Sequence, residues 1–505
     1  MRCPGLKPAE YVDPISTEDM RAYEVNAVWR GVSLDMLMEN AGAAVAGFIE
    51  CALGGPSGLK VAVVAGKGGN GGDGMAAARR LASRGAEVDV HLVHPSSDIS
   101  HGSAARMLEA LRRSEGVRIV EPRSDGWLAL DGYDVLVDAV LGIGVRGRLR
   151  SPVAEALAAY NSSQGLKVSV DVPSGVDPDS GEAAEGSARS DYTIAMHAPK
   201  KGLLRPPAAF YAGEVLAAEI GIPGSAIVYS GPGDVAARIP VRRRDAWKGS
   251  AGRVSVVGGS ELYAGAPIFS ALAAYAAGVD LVYLVSPRSY DAAILRPELV
   301  PRSFDDIESV VERSHAVVVG PGIGVDGKAA SIVERVLDAA SKTGSLVVMD
   351  ADAVKLVARG AVKPRGNVVL TPHRGEAREL VGSDVDPLKA ARAISEKTGV
   401  TTVVKAPVDA VCEPSGRCRL NDTGAPEMSV GGTGDVLAGV IAGFAARRIA
   451  AGLEPDPLNT AAAALHVVGV AGEKAVAERG ESITPTDVID RIPAVIRESR
   501  RVAGQ

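Results

Sequence analysis

Short apolar runs alternate with stretches of helical character along the first half of the chain. Leu59–Ala65, Val88–Val93, Val135–Val140 and Val168–Val172 read as buried strands. Met75–Arg84, Ala104–Arg113 and Pro152–Tyr160 read as helices between them. Runs of this length separated by helices predict βαβ units on a parallel sheet. In such a sheet the functional loops lie at the carboxyl ends of the strands.

The pattern breaks between Gly221 and Lys248, where glycines and prolines cluster and arginines follow. A second series then begins, with strands at Arg253–Val257, Leu281–Val285, Ala316–Val319, Leu346–Met349, Val368–Leu370 and Thr401–Val404. Helices are expected at Ile268–Ala277, Thr433–Arg447, Leu458–Ala477 and Thr486–Ser499. The expected organisation is an α/β domain over residues 1–224, a linker over 225–247 and a second α/β domain over 248–505. No short internal repeat is evident.

Composition narrows the class. Of 505 residues, 46% are hydrophobic and 23% charged, enough for two packed cores and against wholesale disorder. The net charge of −6 and 4% aromatic content give no footprint for nucleic acid. No uninterrupted apolar run of about 18 residues marks a membrane span, and the first residues lack a charged-then-apolar leader pattern. A soluble, cytoplasmic protein with no membrane partner is expected. Cys3, Cys51, Cys412 and Cys418 have no zinc spacing. Cys412 and Cys418 flank a Pro-Ser-Gly turn and could face each other across a hairpin, but free thiols are the expectation for a cytosolic chain.

The 59 glycines point to close backbone approaches. The densest group, VAGKGGNGGDG over Val64–Gly74, follows a strand and opens a helix, where bare N–H groups and the helix dipole favour an anion. Gly66, Gly68 and Gly71 match the dinucleotide fingerprint, with Asp89 as a poorly placed ribose acid; no phosphate-loop lysine motif occurs. Two further segments, VDAVLGIGVRGR (Val137–Arg148) and SVDVPSGVD (Ser169–Asp177), each place an aspartate at a strand end. Each could cap a helix or shape a turn. Taken with the glycine loop they predict one crevice. Asn70, Asp138 and Ser174 would offer oxygen ligands with one formal charge, which suits a hard monovalent cation better than zinc. Asp171 is left as a candidate acid or base.

With MENAG (Met38–Gly42), GKGGNGGDG (Gly66–Gly74), DAVLGIG (Asp138–Gly144) and DVPSGVD (Asp171–Asp177) in order, residues Tyr11–Gly224 resemble the NAD(P)HX epimerase domain, the YjeF N-terminal type. The resemblance implies a Rossmann-like αβα sandwich that interconverts the epimers of hydrated NADH and NADPH. It implies that Gly69, Asn70, Gly71, Gly72 and Asp73, with Gly142, Ile143, Gly144, Val145, Arg146, Gly147 and Arg148, hold the substrate. Asn70, Asp138 and Ser174 would bind K+, and Asp171 would contact the hydrated nicotinamide. Gly69 stands where the usual GNNGGD loop has its first asparagine.

The second half carries SVGGTGDV (Ser429–Val436) running into a helix. Backbone N–H groups at that helix start can steady phosphoryl charge while Asp435 takes a proton from a substrate hydroxyl; alternatively, Asp435 caps the helix. Its companions are KGSAGRVSVVGGS (Lys248–Ser260), YAGAP (Tyr263–Pro267), GPGIG (Gly320–Gly324), DADAV (Asp350–Val354) and TPHRGE (Thr371–Glu376). Together they resemble the ribokinase-like NAD(P)HX dehydratase family over Lys248–Ser499. The resemblance implies ADP or ATP with Mg2+ as co-substrate. It assigns Ala266, Gly324 and His373 to the hydrated-cofactor pocket, Asp435 to the reacting hydroxyl, and Thr433 and Gly434 to the nucleotide phosphate. Lys405, Ala406, Pro407, Val408 and Asp409, with 423–428, would hold the nucleotide, although KAPVDAV (Lys405–Val411) departs from the usual KG followed by small residues. Related proteins assemble symmetrically, so a homo-oligomer is implied. Two rival readings follow from the same residues: a vitamin-alcohol kinase with an accessory domain, and a binding module without turnover.

Overall fold

The computed structural model describes residues 3–504 except 101, 123–127, 144–146 and 385. It divides into two compact units, Met1–Pro223 and Gly224–Gln505.

In the first unit the strands are β1 (Leu6–Pro8), β2 (Lys60–Ala65), β3 (Glu87–Leu92), β4 (Val117–Val120), β5 (Val135–Ala139), β6 (Leu166–Val170), β7 (Tyr192–Met196) and β8 (Glu214–Ala218). They form one sheet in the order β1-β8-β7-β6-β5-β2-β3-β4, parallel except for β1. The order turns back between β2 and β5, so the loops after these strands open into one crevice. Helix Gly69–Ala82 covers one face, where a side chain at Gly74 would collide with Ala139 and Val63. Helix Val153–Ser162 packs on Ala62, Val64 and Leu136 of the other. Helix Leu34–Leu53 is long and apolar enough to cross a membrane by length and composition. Here it lies against the Gly69–Ala82 helix, tied by Glu39 to Arg79 and Arg80 and by Glu50 to Arg84.

The second unit contains β9 (Arg253–Val257), β10 (Leu281–Val285), β11 (Val300–Arg302), β12 (Ala316–Val319), β13 (Leu346–Met349), β14 (Val368–Leu370), β15 (Thr401–Val404), β16 (Asp409–Cys412) and β17 (Cys418–Asn421). Their order is β11-β10-β9-β12-β13-β14-β15-β16-β17, with only β16 and β17 antiparallel to their neighbours. Alternate side chains enter opposite cores. Val254, Val256, Val318 and Val348 join the helices Gly265–Ala276, Thr433–Ala450, Pro457–Arg479 and Pro485–Val502. Val257, Val317, Val319 and Met349 join Gly327–Thr343 and Pro387–Thr398. Both units are thus α/β sandwiches with helices on both faces of a largely parallel sheet, which is why their strands read as continuous apolar runs.

Two expectations need correction. Residues 225–247 are not a bare linker, because helices Gly224–Val228 and Pro232–Arg238 belong to the second unit. Burial would raise the Asp234 carboxyl, but Arg419, donating to both of its oxygens at 3.0 and 2.9 Å, and Arg238 hold it at about 2. This buried pairing locks the segment onto β17. The cysteines are not free thiols either: Cys3 is bonded to Cys51 and Cys412 to Cys418. The second pair closes the hairpin that the Pro-Ser-Gly turn foreshadows, opposite each other in the β16–β17 ladder.

Candidate active sites

The glycine loop of the first unit is the helix itself. Gly69 through Gly74 form the opening turns of Gly69–Ala82, not a turn ahead of a helix beginning at Met75. A Cβ at Gly71 would lie 1.9 Å from the Gly66 carbonyl, and one at Gly66 would lie 1.9 Å from that of Val140. Close backbone approach therefore overrides the poor helix propensity of glycine. Gly72 is pressed against Met38 of the MENAG segment. Gly69 has open space around it.

Asn70, Asp138 and Ser174 come together at the carboxyl ends of β2, β5 and β6. The Ser174 hydroxyl and amide donate to Asp138 at 2.5 and 2.8 Å, and Ser169 donates to it at 2.9 Å. Asn70 donates to the Leu141 carbonyl at 2.9 Å, which also accepts from Ser174 at 3.2 Å. The Asn70 Oδ1 is buried with no hydrogen-bond partner. Burial pushes the Asp138 carboxyl up against the opposing bonds from Ser174. A buried amide oxygen without a donor beside a fully buried carboxylate is a donor set that fits a monovalent cation. Gly142 packs against Asn70, where a Cβ would come within 3.2 Å of the Asn70 Cβ. The carbonyl of Ile143 accepts from Arg21 at 3.2 Å. Gly147 and Arg148 line a cavity of about 420 Å³ with Gly175 and Asp177; Gly144, Val145 and Arg146 lie outside the described residues.

Asp171 follows β6 with a left-handed backbone, φ 63°, uncommon for a residue with a side chain. It is only 8% exposed, deeper than expected for a residue meant to touch substrate. Its Oδ1 accepts from the Met196 amide at 2.9 Å and is ion-paired with Lys200. Lys200 is fully buried and also donates to the carbonyls of Met196 and Ala198, at 3.0 and 3.3 Å. Two half-buried carboxyls share this field. Burial, then the Asp171 charge, raises Glu24 to about 7, with Lys200 and Arg21 opposing. Burial, then Asp171 and Glu24, raises Asp73 well above the carboxylate range. Lys200 and Glu24 escape sequence reasoning because no local motif surrounds them. Asp89, the acid a dehydrogenase would use, is instead committed to Arg118 at 2.8 Å and to Tyr133.

In the second unit a cavity of about 840 Å³ opens beside the ends of β14 and β15. His373, Lys405, Ala406, Pro407, Asp409, Thr433 and Gly434 line it, as does Thr423–Met428 except Glu427. Val408 is not part of that lining and is 42% exposed. Ala266, near the start of the Gly265–Ala276 helix, and Gly324, whose amide donates to Asp352 at 2.9 Å, are not part of this wall. His373 caps helix Arg374–Val381: its Nδ1 accepts from the amides of Gly375 and Glu376 at 3.0 and 3.2 Å. Asp409 accepts from the Ala406 amide at 2.9 Å and from Asn421 at 3.0 Å, and burial raises it to about 6. These two bonds shape the unusual KAPVD turn.

Asp435 sits in the first turn of helix Thr433–Ala450. Burial, then the charge of Asp350, raises it to about 8, with Lys405 opposing. Lys405 donates to Asp350 at 2.8 Å, and Thr371 donates to the same oxygen at 2.7 Å. Burial would lower Lys405, but Asp350, Glu376 and Asp435 prevail and raise it. A Cβ on Gly434 would lie 3.0 Å from the Lys405 ammonium, so this cation stands against the helix start. Asp350 belongs to the DADAV segment, quoted above without a role. Among the described residues no group of three His, Cys, Asp or Glu side chains is placed to hold a metal ion.

Residues 34–202 match the family model for the YjeF-related protein N-terminus, and residues 254–494 match that for NAD(P)H-hydrate dehydratase. The bifunctional NAD(P)H-hydrate repair enzyme of Hyperthermus butylicus is 39% identical, over 97% of this chain and 94% of its own. That of Pyrobaculum aerophilum is 40% identical, over 96% and 98%. A solved ribokinase-like superfamily protein from Enterococcus faecalis is 28% identical with a TM-score of 0.49, covering 54% of this chain and 96% of its own. Fold, sites and matches define a fused enzyme, an epimerase-type unit followed by a dehydratase-type unit. The chain belongs to the family of bifunctional NAD(P)H-hydrate repair enzymes.

Proposed function

We propose that the first unit epimerises hydrated NADH and NADPH, and that the second dehydrates the S epimer with ADP or ATP. The observation that carries this reading is a carboxyl set against a lysine in each unit, Asp171 with Lys200 and Asp435 near Lys405, in a chain that repair enzymes match over nearly its whole length. In the first unit Asp171 exchanges a proton with the substrate hydroxyl, and the glycine-rich helix start cradles the diphosphate. Asn70, Asp138 and Ser174 hold K+, which supplies fixed positive charge in the crevice.

In the second unit Asp435 takes the proton of the substrate hydroxyl as that oxygen attacks the terminal phosphoryl group. The amides around Thr433 and Gly434 steady the phosphoryl charge. Phosphate is a far better leaving group than hydroxide, so elimination returns the reduced nicotinamide. His373, Lys405 and Thr423 face the nucleotide cavity. A symmetric homo-oligomer in the cytoplasm is the setting that the family resemblance implies.

The test starts from mixed epimers of NADHX with nucleotide and Mg2+ and follows absorbance in the reduced-nicotinamide band. Asp435→Ala is expected to abolish recovery. Asp171→Ala is expected to slow recovery of the R epimer to its spontaneous rate while sparing the S epimer. Full recovery by either variant removes the role assigned to that residue.

A further inference from the structure

The helix Thr17–Trp29 approaches the epimerase site along its length. Just ahead of it, the Ile15 amide donates to the Pro199 carbonyl at 2.9 Å, and the Lys201 amide donates back to Ile15 at 3.0 Å, so the helix begins beside Lys200. Thr17 is bonded through its amide to Asp179 at 2.8 Å. One turn on, Arg21 reaches the Ile143 carbonyl of the substrate loop at 3.2 Å. Tyr23 stands edge-on to His197, with ring centroids 6.1 Å apart, and His197 Nδ1 is buried without a partner. Glu24 follows on the same helix.

We propose that Glu24 is the general acid of the epimerase unit, working opposite Asp171. The inference rests on the epimerase reading given above and names a second reacting group for it. Inverting a carbon that bears a hydroxyl and a ring nitrogen requires one of those bonds to open. Asp171, anchored through Oδ1 by Lys200 and the Met196 amide, removes the hydroxyl proton. The oxygen's electron pair becomes a carbonyl π bond as the carbon–nitrogen bond breaks. The departing ring nitrogen takes its proton from Glu24. Turning the aldehyde over and running the same transfers backwards closes the ring on the other face, with no redox partner and every proton returned.

Such a cycle needs one carboxyl charged and its neighbour protonated at the same pH. Glu24 follows Arg21 by three residues and Thr17 by seven, on the helix face whose members reach Ile143 and Asp179. The charges of Asp171, Lys200 and Arg21 act on it, and its own acts on Asp73. Burial and the Asp171 charge bring it to about 7, so a substantial share of the molecules hold its proton near neutrality. Asp171 instead has the Lys200 ammonium against it.

The full chain is assayed without nucleotide, so that dehydration is idle, by chromatographic separation of the epimers from one purified NADHX epimer. The wild type is expected to lose rate as pH rises through about 7, where Glu24 gives up its proton. Glu24→Gln should lower kcat on the order of 100-fold with little change in KM. It should also remove that alkaline decline. Glu24→Asp should restore part of the rate and the decline, which a merely structural role would not do. Undiminished turnover by Glu24→Gln, or an unchanged decline, overturns the inference and leaves the epimerase reading standing. A wild type that does no better than spontaneous epimerisation overturns that reading as well.

Discussion

The Lys405 ammonium donates to Asp350 Oδ1 at 2.8 Å, directly against the helix start that carries Asp435. This single cation balances three carboxyls, Asp350, Glu376 and Asp435. Removing it leaves Asp350, 2% exposed, as a buried charge with the Thr371 hydroxyl and the Ala351 amide but no counter-ion from Lys405. Lys405→Met is therefore expected to destabilise the second unit by about 3–5 kcal/mol and to stop dehydration. Calorimetry on the full chain checks this, with the transition of the first unit as internal reference.

Asp435 sets a pH signature. A carboxyl at about 8 is protonated at neutrality, and a base must be ionised to act. Dehydration of the S epimer should therefore speed up as pH climbs through about 8 and then level off. Stability runs the other way. Between the ordinary carboxyl value of 3.8 and about 8 the folded unit keeps a proton that the unfolded chain has released, so this group weakens the fold as pH rises across that window. Asp435→Asn should flatten the rate profile at a level lower by about 100-fold or more. Stopped-flow absorbance from pH 6 to roughly 9 covers the predicted range.

The buried Asn70 Oδ1 makes a prediction about salt. Replacing K+ with tetramethylammonium at constant ionic strength should lower epimerisation and spare dehydration. Asn70→Leu should abolish the response to K+. Titrating K+ into dialysed protein while following epimer exchange supplies the measurement. An identical response in the variant would show that Asn70 does not hold the ion.

Gly71 has no room for a methyl group, since the nearest atom is the Gly66 carbonyl at 1.9 Å. Gly71→Ala should shift the loop between β2 and its helix at a cost of about 1–3 kcal/mol, with epimerase activity lost and dehydratase activity kept. Gly69→Ala, which meets open space, is the control and should leave stability nearly unchanged. Thermal melting separates the two.

The two disulfides close loops of different length. Cys3 and Cys51 are 48 residues apart, and Cys412 and Cys418 only 6. Loop-closure entropy alone gives about 4 kcal/mol for the first and about 2 kcal/mol for the second. Cys3→Ser should lower the melting temperature of its unit more than Cys412→Ser lowers that of the other.

Much of this architecture was legible in the chain. Six valine-rich strands of the second unit, from Arg253–Val257 to Thr401–Val404, have the bounds their apolar runs predict, because strands buried on both faces carry an uninterrupted signal. The glycine-rich turn failed for an equally physical reason. Propensity placed the helix start at Met75, while backbone contacts at Gly66 and Gly71 begin it at Gly69. The helices at 224–238 were missed because each is short and owes its position to buried partners such as Asn421 and Arg419. In the sites, residues flanked by glycines and aspartates at strand ends stood out. Lys200, Glu24 and Asp350 act through burial and distant charges, which a linear motif does not encode.

Strand β1 has a consequence for how copies of this molecule behave in solution. It covers the margin of the first sheet by pairing antiparallel with β8, and Cys3 pins the approach to it. Pro8 offers no amide to an incoming neighbour, so the outermost row of the ladder is blunted. A chain trimmed back past Pro8 would bare the β8 backbone and is expected to clump through that rim even with both catalytic units intact.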